Sequence, residues 1–276
     1  MRPVAAAPPA GRRRTRTTRA PVALLVPAAA GLAFLVLPLL GLILRTPWST
    51  LPQRLTAPGV LTALRLSLET ASLATLVCVA LGVPLAWLLA RIDFPGRRIV
   101  RALVTVPLVL PPVVGGVALL LVFGRNGLLG AQINTWFGVS LPFTTPAVVV
   151  AESFVAMPFL VIAVEGALRG ADTRFEEAAA TLGAGRWTTF RRVTLPLVAP
   201  GIAAGAVLCW ARALGEFGAT ITFAGNYPGT TQTMPLAVYL SLESGDLDAA
   251  MVLSLILLTV SVTILASLRD RWITSP

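Results

Sequence analysis

The chain has 276 residues, of which 56% are hydrophobic and 12% are charged, and its mean hydropathy is +0.82. Soluble domains carry about 25% charged residues, so this composition excludes a water-soluble globule and indicates an integral membrane protein. All 22 basic residues are arginine, and the chain has no histidine. Histidine-based catalysis and a Walker-type phosphate loop, which needs lysine, are therefore excluded, and we expect no enzymatic activity and no metal site.

The first 20 residues form a basic tail with six arginines, and an uncharged apolar run follows from Ala20 to Leu44. We expect the tail to be a disordered segment on the anionic inner leaflet of the membrane. The apolar run is longer than the 7–15-residue core typical of a signal peptide. It is therefore predicted to be a retained membrane helix, the first element of a transmembrane domain over residues 21–270.

Five further apolar segments are predicted to cross the membrane, because each provides about the 20 residues that a spanning helix needs. They are Thr70–Ala90, Ala102–Gly124, Pro146–Leu168, Val193–Ala211 and Ala249–Leu268. Residues 126–151 and 217–242 are also uncharged but rich in polar residues, glycine and proline, which predicts loops with a re-entrant or interfacial piece. The sequence thus predicts an all-α integral membrane protein with six transmembrane helices. Cys78 and Cys209 lie within predicted helices and are expected to be buried.

The arginines are distributed asymmetrically between the two sides of this topology. If the N-terminus is inside, seventeen arginines fall in inside segments and three, Arg45, Arg54 and Arg125, fall in outside loops. Positive residues are enriched on the cytoplasmic side of membrane proteins. We therefore expect both termini to be cytoplasmic. The same asymmetry explains the net charge of +10 without nucleic-acid binding.

Residues 172–196 form a charged, glycine-containing segment on the predicted cytoplasmic side. Thr173 and Glu176 have the spacing of a capping box, with Thr173 as the N-cap residue. Gly183 is typical of a residue that ends a helix. The segment therefore predicts a short helix from Arg174 to Leu182.

One face of this short helix is apolar, since four of its residues have the spacing i, i+3, i+4 and i+7. These residues are Phe175, Ala178, Ala179 and Leu182. The spacing fits an amphipathic linker on the inner leaflet, and it fits equally a helix that inserts into a groove of a soluble partner. From the residues alone both interpretations stay open.

The segment resembles the signature of ABC importer permeases, which reads E-A-A, three residues, G, nine residues, an aliphatic residue, one residue, L-P. The matching residues are Glu177, Ala178, Ala179, Gly183, Val193, Leu195 and Pro196. In that family the segment is the coupling helix, which docks on a separate ATP-binding subunit. The resemblance implies a type I ABC importer permease fold, a homodimer and two ATPase subunits. ATP and Mg²⁺ would be bound by those subunits, and this chain would bind no cofactor.

The resemblance also assigns candidate residues to the ATPase contact. Glu177, Ala178, Ala179 and Gly183 would form it, and the apolar face adds Phe175 and Leu182.

A second charged site lies near the end of the fifth predicted span. Arg212 and Glu216 are four residues apart and thus share a helix face. Charges in a membrane are costly and suggest a functional site, although an ion pair that fixes helix packing explains the spacing equally well. Beyond them, the chain offers neutral hydrogen-bond donors that suit a path for a dianion. The candidate path residues are Arg212, Glu216, Thr220, Thr222 and Asn226.

The stretch "RALGEFGA" followed by "FAGN" resembles permeases for the tetrahedral oxyanions molybdate and sulfate. The continuation "TQTMPLAVYLSLE" is more similar to the molybdate branch. The resemblance implies import of molybdate, with tungstate not separable from it, across a bacterial cytoplasmic membrane from an extracytoplasmic oxyanion-binding protein. A sulfate permease is the alternative within this class. A secondary transporter driven by an ion gradient is the alternative outside it, with Glu152, Glu165 and Glu216 as its candidate coupling carboxylates.

Overall fold

Helices account for every regular element between residues 22 and 273, the part of the chain that this computed structural model describes. The predicted basic tail over residues 1–20 lies outside the described residues. In chain order the helices are α1 (Val22–Arg45), α2 (Leu51–Leu55), α3 (Val60–Arg91), α4 (Arg97–Val109), α5 (Pro112–Phe123), α6 (Gly130–Phe137), α7 (Thr145–Gly170), α8 (Arg174–Thr181), α9 (Arg186–Thr189), α10 (Leu195–Leu214), α11 (Gly218–Phe223), α12 (Met234–Glu243) and α13 (Leu247–Ile273). A π-helical turn, Phe190–Thr194, joins α9 to α10.

Five helices of this set are long and apolar enough to cross a membrane. They are α1, α3, α7, α13 and the continuous helix Arg186–Leu214 that contains α9 and α10. The sixth predicted span, Ala102–Gly124, is not one straight helix, because the chain bends by 118° between α4 and α5. The predicted number of six spans holds when this bent pair is counted as one.

Consecutive prolines cause the bend between α4 and α5. Leu110 and Pro111 both adopt extended backbone angles, as expected for a residue that precedes proline. Pro111 and Pro112 also lack the amide donors that a continuous helix would use. The hydropathy of this stretch predicts that it lies in the membrane, but hydropathy does not predict where the helix bends.

α1 forms a unit of its own, separate from residues 46–276. Its 24 residues match the apolar run Ala20–Leu44 closely, and large apolar side chains such as Phe34 and Leu44 are exposed along it. Exposed apolar side chains are the expected surface of a helix surrounded by lipid. The predicted first membrane helix is therefore present.

The core of the second unit is built from α3, α7 and α10, which pack through small side chains. Ala74 of α3 and Ala156 of α7 are fully buried there. A Cβ atom added at Gly201 of α10 would lie 2.3 Å from the Cβ of Ala167, so this crossing needs glycine. Lipid supplies no hydrophobic force between membrane helices, and close backbone approach through small residues stabilises them instead.

The two cysteines lie in this core, as predicted. Cys78 and Cys209 are free thiols with no exposed surface. The thiol of Cys78 of α3 faces the backbone oxygen of Ser153 of α7 at 3.5 Å.

Short helices occupy much of the uncharged stretches that were predicted to be loops with a re-entrant or interfacial piece. α11 packs against α5 and α7, and α12 packs against α3 and α13. α11 and α5 come so close that a Cβ atom added at Gly116 would lie 2.6 Å from the Cβ of Thr222.

Candidate functional site

α8 lies at one end of the membrane helices, where α3 and α7 finish and α4 and α9 begin, and we call this the α8 end. The predicted capping box is wrong. The side chain of Thr173 makes no capping hydrogen bond, and Asp172 Oδ1 accepts the backbone N–H of Arg174 at 3.0 Å instead. Glu176 does not reach back to Thr173, because its carboxylate is bound elsewhere.

The carboxylate of Glu176 ties α8 to two membrane helices. Its Oε1 atom accepts hydrogen bonds from Arg91 Nη2 at 2.9 Å and from Thr194 Oγ1 at 3.0 Å. The side chains of Arg91 and Glu176 are mostly buried, where such charge-assisted bonds are strong. We call these three residues the Glu176 clip. In the sequence Glu176 stands next to the E-A-A motif, but nothing there predicts its contacts with Arg91 and Thr194.

Gly183 ends α8, as predicted. Its φ of +82° lies in the left-handed region that glycine adopts without strain. The amide of Gly183 donates to the oxygen of Ala180, and the amide of Ala184 donates to the oxygen of Ala179, both at 3.0 Å. This bond pair is the Schellman motif, which satisfies the last carbonyl groups of a helix.

The motif face of α8 is open to the outside of the chain. Phe175 is 57% exposed and Leu182 is 88% exposed. Ala178 and Glu177 are exposed too, whereas Ala179 is half-buried against the body of the protein. Among residues 22–273, Glu177 forms no ion pair. The structure therefore presents an apolar ridge flanked by a free carboxylate at the α8 end, which is a surface that a groove on another protein could cover.

Aromatic side chains support the base of this ridge. Trp187 stacks on Phe190 with ring centroids 5.8 Å apart, and Phe190 meets the edge of Trp87 of α3 at 5.9 Å. Aromatic pairs in these geometries are favourable beyond their buried area. α9 is thus held against the end of α3, next to the Glu176 clip.

The structure brings Arg212 and Glu216 together. Arg212 Nη2 lies 2.6 Å from Glu216 Oε2, and the side chain of Glu216 is 1% exposed. Glu216 Oε1 also accepts the backbone N–H of Ala219 at 2.8 Å. Glu216 therefore neutralises the charge of Arg212 and also accepts a backbone N–H group in the first turn of α11. The pair thus has a structural role, whether or not it lines a path.

The remaining candidate path residues differ in their burial and hydrogen bonding. Thr220 is fully buried, and within the described chain its hydroxyl has no hydrogen-bond partner. The hydroxyl of Thr222 donates to the oxygen of Gly218 in its own helix. The Oδ1 atom of Asn226 is buried and unpaired in the same part of the chain. The role of these residues in transport stays a prediction.

The two other candidate coupling carboxylates, Glu152 and Glu165, are engaged in contacts between helices. Glu152 of α7 accepts a hydrogen bond from Thr70 of α3 at 2.9 Å. Glu165 Oε1 of α7 contacts both Arg101 of α4 and Arg169, each at 2.7 Å. Both side chains thus fix the packing around α7, and neither contact was anticipated from sequence.

Comparison with known proteins identifies the family. Residues 82–275 match the family described as the inner membrane component of binding-protein-dependent transport systems. The chain belongs to this family. As a family member it is a multi-pass transport subunit and not an enzyme, and the ATPase of such a system is a separate chain.

Individual relatives extend the match over most of this chain. The chain is 48% identical over 246 residues to the molybdenum transport system permease protein of Mycobacterium tuberculosis, and the match covers 89% of this chain and 92% of the relative. It is 35% identical over 238 residues to the sulfate transport system permease protein of Escherichia coli, which covers 85% and 86%.

A solved structure agrees with the fold. A bacterial ABC transporter involved in the import of the acidic polysaccharide alginate superimposes with a TM-score of 0.75 at 21% identity, covering 92% of this chain and 95% of that one. At this identity the similarity concerns the fold alone, and it confirms the expected type I ABC importer permease architecture.

Proposed function

We propose that this chain is the membrane-spanning subunit of an ATP-driven importer that moves molybdate into the bacterial cytoplasm. The observation that carries the ATP-driven part is the exposed motif face of α8. The opposite side of α8 is held against α3 and the start of α10 by the Glu176 clip. For the substrate, the support is the greater identity to a relative named for molybdenum transport than to one named for sulfate transport. Tungstate, which has the same charge and nearly the same size, belongs to the same proposal.

The proposed assembly is a homodimer with two ATPase subunits, each of which receives one α8. Phe175 and Leu182 would enter a groove on the ATPase, with Ala178 between them and Glu177 at the rim. ATP and Mg²⁺ would be bound by the ATPase subunits. This chain would lie in the cytoplasmic membrane with both termini and α8 in the cytoplasm.

Coupling follows from the mechanical connection between α8 and the membrane helices. A displacement of α8 acts on the end of α3 through Arg91 and on the start of α10 through Thr194. When the ATPase subunits close on ATP, this motion would favour an outward-open state of the dimer. ATP and a loaded binding protein drive transport only if both favour that same state.

The opposite end of the molecule suits the docking of a binding protein more than the capture of an anion. Arg54 of α2 donates to Asp246 at 2.9 Å and lies 4.0 Å from Asp248. The hydrogen bond from Arg54, together with one from the backbone of Ala249, holds the pKa of Asp246 below its usual range. Two carboxylates against one guanidinium leave a net negative charge at this place, which would not attract a free dianion and would leave capture to the separate protein.

The decisive test uses proteoliposomes that contain the permease and its ATPase. We expect a molybdate-loaded molybdate-binding protein to stimulate ATP hydrolysis more than a sulfate-loaded sulfate-binding protein does. Equal or reversed stimulation would overturn the substrate assignment. Uptake that persists with ATP after the proton gradient is collapsed supports the ATP-driven mechanism, whereas loss of uptake would favour the ion-coupled alternative.

A further inference from the structure

A cavity of about 1040 Å³ opens at the α8 end, beside the turn that joins α3 to α4. α8 itself does not line it. The ten lining residues of the cavity include Asp93, Arg97, Arg98, Ile99, Arg101 and Arg169. Four of the ten lining residues are arginines, in a chain where only 12% of all residues are charged.

The carboxylates near the cavity do not balance its arginines. Arg97 forms an ion pair with Asp93 and also donates to the backbone oxygen of Leu89 at 2.8 Å. Its charge is therefore already paired at the end of α3. Arg101 and Arg169 share a single carboxylate, that of Glu165.

Arg98 carries the least compensated charge in the cavity. It is exposed, and no carboxylate between residues 22 and 273 forms an ion pair with it. With four arginines against two carboxylates, the cavity holds an excess of about two positive charges. An anion placed there would be attracted by all four guanidinium groups.

An exposed apolar stripe continues from the cavity along α4. Ile99 lines the cavity and is 66% exposed, and Leu103, one turn further on, is 62% exposed. Val106 is also exposed. These positions have the spacing i, i+4 and i+7, so they share one helix face. A small inorganic anion would use the arginines alone, whereas a lipid would use the arginines and the stripe together.

We infer that this cavity binds the phosphate headgroup of an anionic phospholipid, with an acyl chain lying along Ile99, Leu103 and Val106. Basic pockets between membrane helices on the cytoplasmic side suit such headgroups. Arg98 supplies the uncompensated charge, and Arg101 and Arg169 contribute the donors that Glu165 leaves unused. The bound lipid would bridge α4 and α7 at the α8 end. The inference is independent of which oxyanion the dimer transports.

The experiment measures lipid retention by the complete permease–ATPase complex with native mass spectrometry. Detergent-solubilised complex is titrated with phosphatidylglycerol or with phosphatidylcholine of the same acyl chains. We expect a clear preference for phosphatidylglycerol. Arg98→Gln should weaken phosphatidylglycerol binding about fivefold, the factor that one basic residue near an anionic surface supplies. Arg125→Gln, which removes one exposed arginine far from the cavity, is the matched control and should leave binding unchanged.

A second variant distinguishes a lipid from free phosphate. Leu103→Ser removes the middle residue of the apolar stripe without changing an arginine, and its exposed position makes misfolding a poor explanation for any effect. It should weaken phosphatidylglycerol binding, and millimolar inorganic phosphate should not displace the lipid. Full displacement by phosphate, or equal binding to the wild type and Leu103→Ser, would show a simple anion site and overturn the proposal. Equal retention of both lipids, or equal losses in Arg98→Gln and Arg125→Gln, would overturn it as well.

Discussion

The ion pair between Arg212 and Glu216 makes a quantitative prediction, because the same pair occurs a second time in an exposed position. Arg65 and Glu69 of α3 have the same spacing of four residues and the same 2.6 Å contact. The side chain of Glu69 is 51% exposed, whereas that of Glu216 is 1% exposed. Arg65 and Glu69 both lie within α3, whereas Glu216 lies just beyond the end of α10. The two pairs therefore share their spacing and contact distance, and they differ in burial.

We predict that Arg212→Gln destabilises the protein by about 3 kcal/mol, because removing one partner of a buried pair leaves the other charge uncompensated. In Arg212→Gln, the carboxylate of Glu216 would keep only the hydrogen bond from the backbone N–H of Ala219. Arg65→Gln should leave the stability unchanged, since exposed pairs contribute little. The double variant Arg212→Gln/Glu216→Gln should recover much of the loss, because it removes the buried charge as well as its partner.

Stability can be followed through the native cysteines, since Cys78 and Cys209 are both buried and become reactive only on unfolding. The purified permease is titrated with SDS in mixed micelles, and the labelling of these thiols by a fluorescent maleimide reports the unfolded fraction. Equal midpoints for Arg212→Gln and Arg65→Gln would refute the reasoning. A double variant less stable than Arg212→Gln would also contradict it, since the uncompensated charge would not then be the cause.

Three further predictions concern α8 and the contact between α5 and α11. Gly183→Val should abolish ATP-driven uptake while the elution of the protein in size exclusion stays that of the wild type, because a left-handed backbone costs a side-chain-bearing residue about 1–2 kcal/mol; Gly183→Asn should retain uptake, and normal uptake with valine would contradict the role of this turn. Glu176→Gln should lower the ratio of molybdate transported to ATP hydrolysed, since α8 loses its ionic link to α3, and an unchanged ratio would exclude the Glu176 clip from coupling. Gly116→Val should lower stability by about 1–3 kcal/mol through overpacking, because its Cβ atom would meet Thr222, whereas Gly166→Val, with open space around it, should show no such clash; equal losses would contradict the packing explanation.

Features that depend on local composition could be predicted from the sequence. The membrane helices follow from runs of about 20 apolar residues, and the end of α8 follows from Gly183. The proximity of Arg212 and Glu216 was expected from their spacing of four residues, although Glu216 lies just beyond the end of α10 and not on the same helix. In each case the responsible residues are neighbours in the chain.

Features that depend on distant residues could not be predicted. Glu176 was expected to cap its own helix, but Arg91 and Thr194 bind its carboxylate, and these residues are 85 and 18 positions away. The capping prediction failed because a buried arginine is a stronger partner for a carboxylate than a backbone amide exposed to water. The bend before α5 was missed for a different reason, since hydropathy averages over the prolines that cause it.

The continuous helix from Arg186 to Leu214 has a mechanical consequence. Its 29 residues span about 43 Å at 1.5 Å per residue, and its first turns adjoin α8 while its last residue lies beside the Arg212–Glu216 pair. A tilt of about 5° around the α8 end therefore displaces the far end by about 4 Å, more than the diameter of a water molecule. If α8 is the ATPase contact, as proposed, a small movement there would be amplified along this helix into a displacement large enough to open or close a path at its far end.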